Sequence, residues 1–277
     1  MYFLQIIWDP ASDGIALFGD FKIHYYSLMW MAAFIAGWYL TKKIYKNEGQ
    51  TEDKLDGLFM YSVLGIMIGA RLGHVIFYQA ELFREDFLSV FLPWSFSGGI
   101  EFTGFRGLAS HGAAIGMIFS MWLYNKKVLK KSVLWILDRI VIACALGAVF
   151  IRIGNFFNSE MIGKAAGDGF PLAIIFKQLD NIPRHPGQLY EAFGYVFVFL
   201  ILFFLYWKTK KSVQTGFLFG LFLVLLMSVR VVVEQFKIAQ IDSREDWILG
   251  LNTGQVLSIP FVLCGLYFMF VYKPKNA

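Results

Sequence analysis

A chain of 277 residues in which 57% are hydrophobic, 18% aromatic and only 16% charged carries too little charge for a soluble domain of its length. With a mean hydropathy of +0.57 it reads as an all-α polytopic membrane protein. The basic excess, 25 Lys and Arg against 20 Asp and Glu, lies in short loops between apolar runs and not on one patch, which points to topology and the lipid bilayer and argues against a nucleic-acid partner.

Residues 1–20 have turn signals at Asp9-Pro10 and Asp13-Gly14 but no basic n-region, so they are expected to form a short extended or surface-lying segment and not a removable signal peptide. The first span covers residues 23–40, with Tyr25, Tyr26 and Trp30 as interface aromatics, and ends in a basic loop. The second, residues 58–78, carries Gly65, Gly69 and Gly73 at four-residue steps, a seam on which another helix can pack closely. Arg71, His74 and Tyr78 form a neighbouring stripe. Residues 79–107 are too long for a hairpin and read as an extracytoplasmic arm. The third span, residues 108–124, opens with Ser110-His111-Gly112 and ends in a second basic loop.

The fourth span, residues 133–157, delivers the run Arg152-Ile-Gly-Asn-Phe-Phe-Asn-Ser-Glu160. On a continued helix Arg152, Asn155 and Ser159 share one stripe, and Gly154 leaves room for a close approach. An arginine at that depth either snorkels to the headgroups or faces a protein interior and acts on something. Asp138-Arg139, near the start of the span, reads as a local ion pair. After a second extracytoplasmic loop, residues 158–186, the fifth span runs to Trp207. The sixth, residues 215–236, holds Arg230 and Glu234 on one face with Lys237 beyond, and a third loop, residues 237–252, precedes the seventh span at residues 254–272.

The loops after spans one, three and five, together with the tail, hold 13 basic residues, all lysine, whereas the longer segments on the other side hold 8. The positive-inside rule therefore places the N-terminus outside and the C-terminus in the cytoplasm, within a single membrane domain over residues 1–277. At a rise of about 1.5 Å per residue, Arg71 lies about 20 Å above the cytoplasmic end of its helix, Arg152 about 30 Å and Arg230 about 24 Å. His111 enters from the outer side, so all four are expected to meet in the outer third of the bilayer. Two arginines able to fork onto phosphate oxygens call for a buried phosphodiester, and a histidine at that level is a candidate proton acceptor or a structural histidine.

Cys144 and Cys264 sit in apolar runs without a CxxC neighbour or a nearby histidine, so they read as buried small hydrophobes, and neither a metal nor a cofactor is expected. There is no Gly-x-Ser-x-Gly, no HExxH and no phosphate loop, and span seven has no interior lysine for a Schiff base. A transporter, or a lipid-binding membrane protein with an outer-leaflet anionic site, is the competing class. A transporter predicts polar groups spread to the midplane and inverted symmetry, and here they cluster on one side.

Arg152-Ile-Gly-Asn155 with Asn158 and Glu160, His111-Gly112 with Gly116, Arg184-His-Pro-x-Gln-Leu-Tyr-Glu191, Arg230 with Glu234, and Gly254-Gln-x-Leu-Ser-Ile-Pro260 stand in the order seen in prolipoprotein diacylglyceryl transferases, and the chain resembles that family over residues 69–260. The resemblance implies a bacterial cytoplasmic (inner) membrane enzyme with its active site toward the extracytoplasmic side. Its substrates would be phosphatidylglycerol and lipobox-containing prolipoproteins. It would move the diacylglyceryl group onto the lipobox cysteine thiol, form a thioether and release glycerol phosphate, the first step of lipoprotein maturation. It also implies roles: Arg152 and Arg230 hold the phosphate, Asn155, Asn158, Gly154, Glu160 and Glu234 order the site, Tyr26 supplies an aromatic, and His111 accepts or relays the thiol proton. The chain departs from the family at Leu226, where a tyrosine is often found, and at Lys237, where an arginine is common.

Overall fold

A backbone inside hydrocarbon must satisfy its hydrogen bonds within the segment, and long apolar runs do so as helices. The computed structural model describes residues 6–10, 12–18, 21–92, 94–102, 109–167, 169–238 and 250–273. Strands β1 (Ile6–Trp8), β2 (Gly14–Phe18) and β3 (Phe21–His24) lead into helices α1 (Tyr25–Asn47) and α2 (Glu52–Tyr78). Two short helices, α3 (Leu82–Glu85) and α4 (Phe87–Phe91), and a two-residue-per-strand hairpin, β4 (Trp94–Ser95) and β5 (Glu101–Phe102), follow. Then come α5 (Ser110–Tyr124), α6 (Val133–Phe157), strands β6 (Ile174–Phe176) and β7 (Pro183–Arg184), and helices α7 (Gly187–Lys208), α8 (Phe217–Val233) and α9 (Thr253–Leu266).

Five helical stretches among the described residues, Glu52–Tyr78, Val133–Phe157, Gly187–Lys208, Phe217–Phe236 and Thr253–Val271, are long and apolar enough to cross a membrane. The remaining two expected spans are helical but fall outside that group for physical reasons. In α1, 23 residues long, tyrosines, tryptophans and lysines dilute the apolar run. The 15 residues of α5 run on through a π-helical turn, Asn125–Leu129, whose asparagine and two lysines dilute the apolar run. The chain is a helical, polytopic membrane protein. Of the expected loops, residue 93, residues 103–108, residue 168 and residues 239–249 lie outside the described part.

The helices gather into two compact units, Met1–Thr41 with Leu134–Ala277, and Lys42–Val133. In the first, β1 pairs parallel with β6 and β6 antiparallel with β7. Trp8 on β1 lays its ring against Phe156 (4.4 Å) and Phe157 (5.7 Å) at the end of α6. α8 and α9 meet through Gly220 and Gly265, where a Cβ on either would sit 2.5 Å from the other's carbonyl oxygen. Asp138 does more than form the expected local pair. Its nearest Arg139 nitrogen is 3.9 Å away, whereas its carboxylate accepts from the backbone N–H groups of Gly216 (2.6 Å) and Phe219 (2.9 Å). A carboxylate from α6 thus caps the first turn of α8, whose unpaired amides would otherwise be buried without partners. Arg139 stacks over Trp135 at 4.4 Å and donates to the Ser212 carbonyl at 3.1 Å.

In the second unit, α2 and α5 pack glycine to glycine. A Cβ on Gly73 would lie 2.7 Å from Gly112 Cα, and one on Gly116 would lie 2.8 Å from Gly69 Cα, so the expected seam of Gly65, Gly69 and Gly73 finds its partner on the face of Gly112 and Gly116. Beyond α2 the arm is tied by one carboxylate: Asp86 accepts from the N–H groups of Phe96 (2.7 Å), Ser97 (3.2 Å) and Ser89 (3.4 Å) and from the Ser95 hydroxyl (3.2 Å). Those donors, that of Phe96 foremost, hold its carboxyl below the usual carboxylate range. Arg71 anchors the arm to α2, donating to the carbonyls of Ser89 (2.8 Å) and Val90 (3.2 Å).

Candidate active site

The C-terminal end of α6 is built by a change of backbone handedness. Ser159 (φ +53°) and Met161 (φ +56°) are non-glycine residues in the left-handed region, each at a cost of roughly 1 kcal/mol or more. The N–H of Ser159 returns to the Phe156 carbonyl (3.0 Å) and that of Glu160 to the Asn155 carbonyl (2.9 Å), a Schellman closure. Ser159 therefore lies beyond the helix and does not continue the Arg152 and Asn155 stripe expected from spacing. The reversal instead folds Glu160 back over the helix end. There its carboxylate accepts from Asn155 Nδ2 (3.1 Å) and Asn158 Nδ2 (3.1 Å), and its carbonyl accepts from the buried Gln188 side chain.

Asn155 passes this order on: its Oδ1 accepts from Arg152 Nη1 at 3.2 Å. On the opposite edge of the guanidinium, Arg152 Nε is 2.7 Å from Glu191 Oε2, and its Cζ lies 6.0 Å from the Tyr195 ring centroid. Glu191, on the second turn of α7, has no exposed surface, while the Arg152 side chain keeps 17%. Gly154 does allow a close approach. A Cβ there would be 2.8 Å from Tyr26 Cδ2 and 3.3 Å from Met29 Cβ, so α1 packs Tyr26 onto α6 at Gly154.

The second oxygen of Glu191 is 2.9 Å from Lys237 Nζ, which also stands 3.3 Å from Glu234 Oε1. Glu234 Oε1 in turn is 3.7 Å from Arg230 Nε. Arg152 and Arg230, expected to act together, are thereby joined by one line of alternating charge: Arg152, Glu191, Lys237, Glu234, Arg230. Gly254 leaves space for Glu234, since a Cβ would lie 2.6 Å from its Cδ. Asn252, the N-cap of α9 in a capping box with Gln255, donates to the Glu234 carbonyl at 3.1 Å. Glu191 and Lys237 were not among the expected site residues. Their signal was available, an ionisable residue inside an apolar span and a lysine one turn past Glu234, but pairing across α6, α7 and the end of α8 is a property of the fold.

The loop before α7 frames this line. Arg184 pairs with Asp180 at 2.6 Å and holds its carboxyl below the usual range. His185 Nδ1 lies 3.1 Å from the Tyr190 hydroxyl, and burial lowers the imidazole pKa. Arg71, in the second unit, donates to carbonyls of its own arm. His111 is the second residue of α5, and its side chain lies outside the described residues.

The family model for prolipoprotein diacylglyceryl transferase matches residues 14–271. The chain belongs to the prolipoprotein diacylglyceryl transferase family. Relatives named phosphatidylglycerol–prolipoprotein diacylglyceryl transferase include one from Bacteroides fragilis, 41% identical over 276 residues and covering 99% of this chain and 98% of the relative. Another, from Tolumonas auensis, is 37% identical over 273 residues, covering 99% and 100%. One from Chloroherpeton thalassium is 37% identical over 265 residues, covering 96% and 93%. In this member of the transferase family, the arginines that carried the resemblance are the two ends of the buried charge line.

Proposed function

We propose that the chain transfers the diacylglyceryl group of phosphatidylglycerol to prolipoproteins in lipoprotein maturation, at a site centred on Arg152 and Arg230. The observation that supports the site is the charge line from α6 through α7 to the end of α8, which joins two guanidinium groups from different helices through successive ion pairs. Guanidinium forks match phosphate oxygens, and buried positive charge stabilises the phosphate of a departing glycerol phosphate. Asn155, Asn158 and Glu160 fix Arg152, Glu234 sets Arg230, and Tyr26 over Gly154 closes one wall.

The acceptor is the lipobox cysteine of the prolipoprotein. Its thiol loses a proton to His111 or another base, and the thiolate attacks the glycerol carbon that bears the phosphate oxygen. The carbon–sulfur bond forms as the carbon–oxygen bond breaks, and glycerol phosphate leaves with the electron pair. We place this chemistry toward the extracytoplasmic side of the bacterial cytoplasmic membrane. It belongs to one seven-helix domain with its N-terminus outside, its C-terminus inside, and residues 79–107, 158–186 and 237–252 on the outer side. Lysine distribution supports the orientation.

The test is single-protein turnover: purified enzyme in detergent with phosphatidylglycerol and a lipobox peptide, read by mass spectrometry for the diacylglyceryl adduct. Arg152→Ala and Arg230→Ala are expected to lower transfer by at least about a hundredfold while the protein still inserts. Near-normal turnover in either variant refutes the headgroup role. Absence of any adduct from the unaltered chain, with solute movement in vesicles, would turn the reading to a transporter.

A further inference from the structure

Lys237 is buried, with 4% of its side chain exposed, and lies between two glutamates. Its backbone is fixed from both sides. It bridges to Gly163 in antiparallel fashion, and the next residue, Ile238, donates its N–H to the Ile162 carbonyl at 3.3 Å. The ammonium takes one oxygen of Glu191 at 2.9 Å, leaving the other for Arg152 at 2.7 Å. At Glu234 it competes directly with Arg230 for the same oxygen and stands nearer, 3.3 Å against 3.7 Å. Arg230 keeps 36% of its side chain exposed, and its Nε makes no hydrogen bond among the described residues. Glu160 makes no ion pair with this line among the described residues: Asn155 stands between it and Arg152, accepting from the guanidinium and donating to the carboxylate, which Asn158 also meets.

The line therefore contains three cations and two carboxylates. Without Lys237 the two arginines would face two carboxylates, and the line would be neutral. We propose that Lys237 is a positioning residue that occupies the inner oxygens of Glu191 and Glu234 and so leaves one uncompensated positive charge, shared by Arg152 and Arg230, for a monoanionic phosphodiester. The inference rests on the headgroup reading given above. It assigns affinity for the lipid anion to a residue that does not touch the lipid, and it explains why a cation is needed at a position buried among glutamates.

The experiment measures KM for phosphatidylglycerol, varied by mole fraction in detergent micelles at saturating lipobox peptide, alongside kcat. Lys237→Met is expected to raise KM by about tenfold or more with kcat within about threefold, because ground-state anion binding is what is lost. Lys237→Arg, which keeps the cation, restores most of that affinity. Lys237→Gln, which keeps a polar side chain without the charge, is expected to raise KM as Lys237→Met does. An unchanged KM in Lys237→Met, or a Lys237→Arg variant as weak as Lys237→Met, overturns the proposal. If Lys237→Met does not fold, Lys237→Gln decides: a rise of about tenfold in KM supports the proposal, and a KM within about threefold overturns it. Loss of turnover in Arg152→Ala and Arg230→Ala with an unaffected Lys237→Met would sink this inference and leave the headgroup reading standing; normal turnover in the two alanine variants would sink the headgroup reading itself.

Discussion

At the scale of single residues, the site is a set of side chains each oriented by a neighbour. Arg152 is held along two edges, by Asn155 on one and Glu191 on the other, so the guanidinium keeps one direction without spending all of its donors. Gly154 seats the Tyr26 ring on α6. Gly154→Ala would put a Cβ 2.8 Å from the Tyr26 ring, well inside contact distance, and the ring would have to move off α6. The expected outcome is a loss of transfer of up to about a hundredfold with little change in thermal stability, since a shift of about 1 Å in a positioning group has that effect on rate. Turnover and melting temperature measured on the same detergent preparation check it. A variant with full turnover would show that the ring's place on Gly154 does not matter.

At the scale of elements, the helices were legible because a long apolar run has few other ways to satisfy its backbone in lipid. The glycine seam of α2 was legible because its four-residue period leaves one face without side chains. Its partner face on α5 had a weaker signal, the two glycines Gly112 and Gly116, which the packing explains without invoking chemistry. What local spacing could not show was any bond that closes over a long separation or depends on backbone handedness. A helical count carries the α6 stripe on to Ser159; the left-handed turn at Ser159 and Met161 breaks that count and turns Glu160 back. Asp138 looked like half of a local pair because its partners are amides of Gly216 and Phe219, about eighty residues away. That cap carries a prediction: Asp138→Ala should destabilise the protein by about 1 to 2 kcal/mol, the range for losing a helix N-cap. Hydrogen exchange should quicken at residues 216–219 and remain unchanged at the opposite end of α8. Uniform change along the helix would refute the capping role.

At the scale of the whole molecule, two carboxylates outside the spans tie down the exposed segments, Asp86 in the arm and Asp180 before α7. Both have folded-state pKa values below their ordinary ones, through the N–H of Phe96 and neighbouring donors for Asp86 and through Arg184 for Asp180. Their contributions are fully present above the unfolded-state value of about 3.9 and are lost as pH falls through the lower folded values. The exposed segments should then open to an acid-active protease below about pH 4 while the apolar helices stay protected. Asp86→Asn should make cleavage within residues 79–102 occur at neutral pH as well; protection of that variant equal to the unaltered chain would dismiss the role given to Asp86. The buried charge line has a further consequence, for synthesis. The ribosome releases Arg152 first, then Glu191, then Arg230, Glu234 and Lys237, so the carboxylate of α7 arrives in the bilayer after a cation is already waiting on α6. A hairpin of α6 and α7 can settle as a neutral pair before α8 exists, and α7 presented to the insertion machinery by itself would carry a naked carboxylate into hydrocarbon.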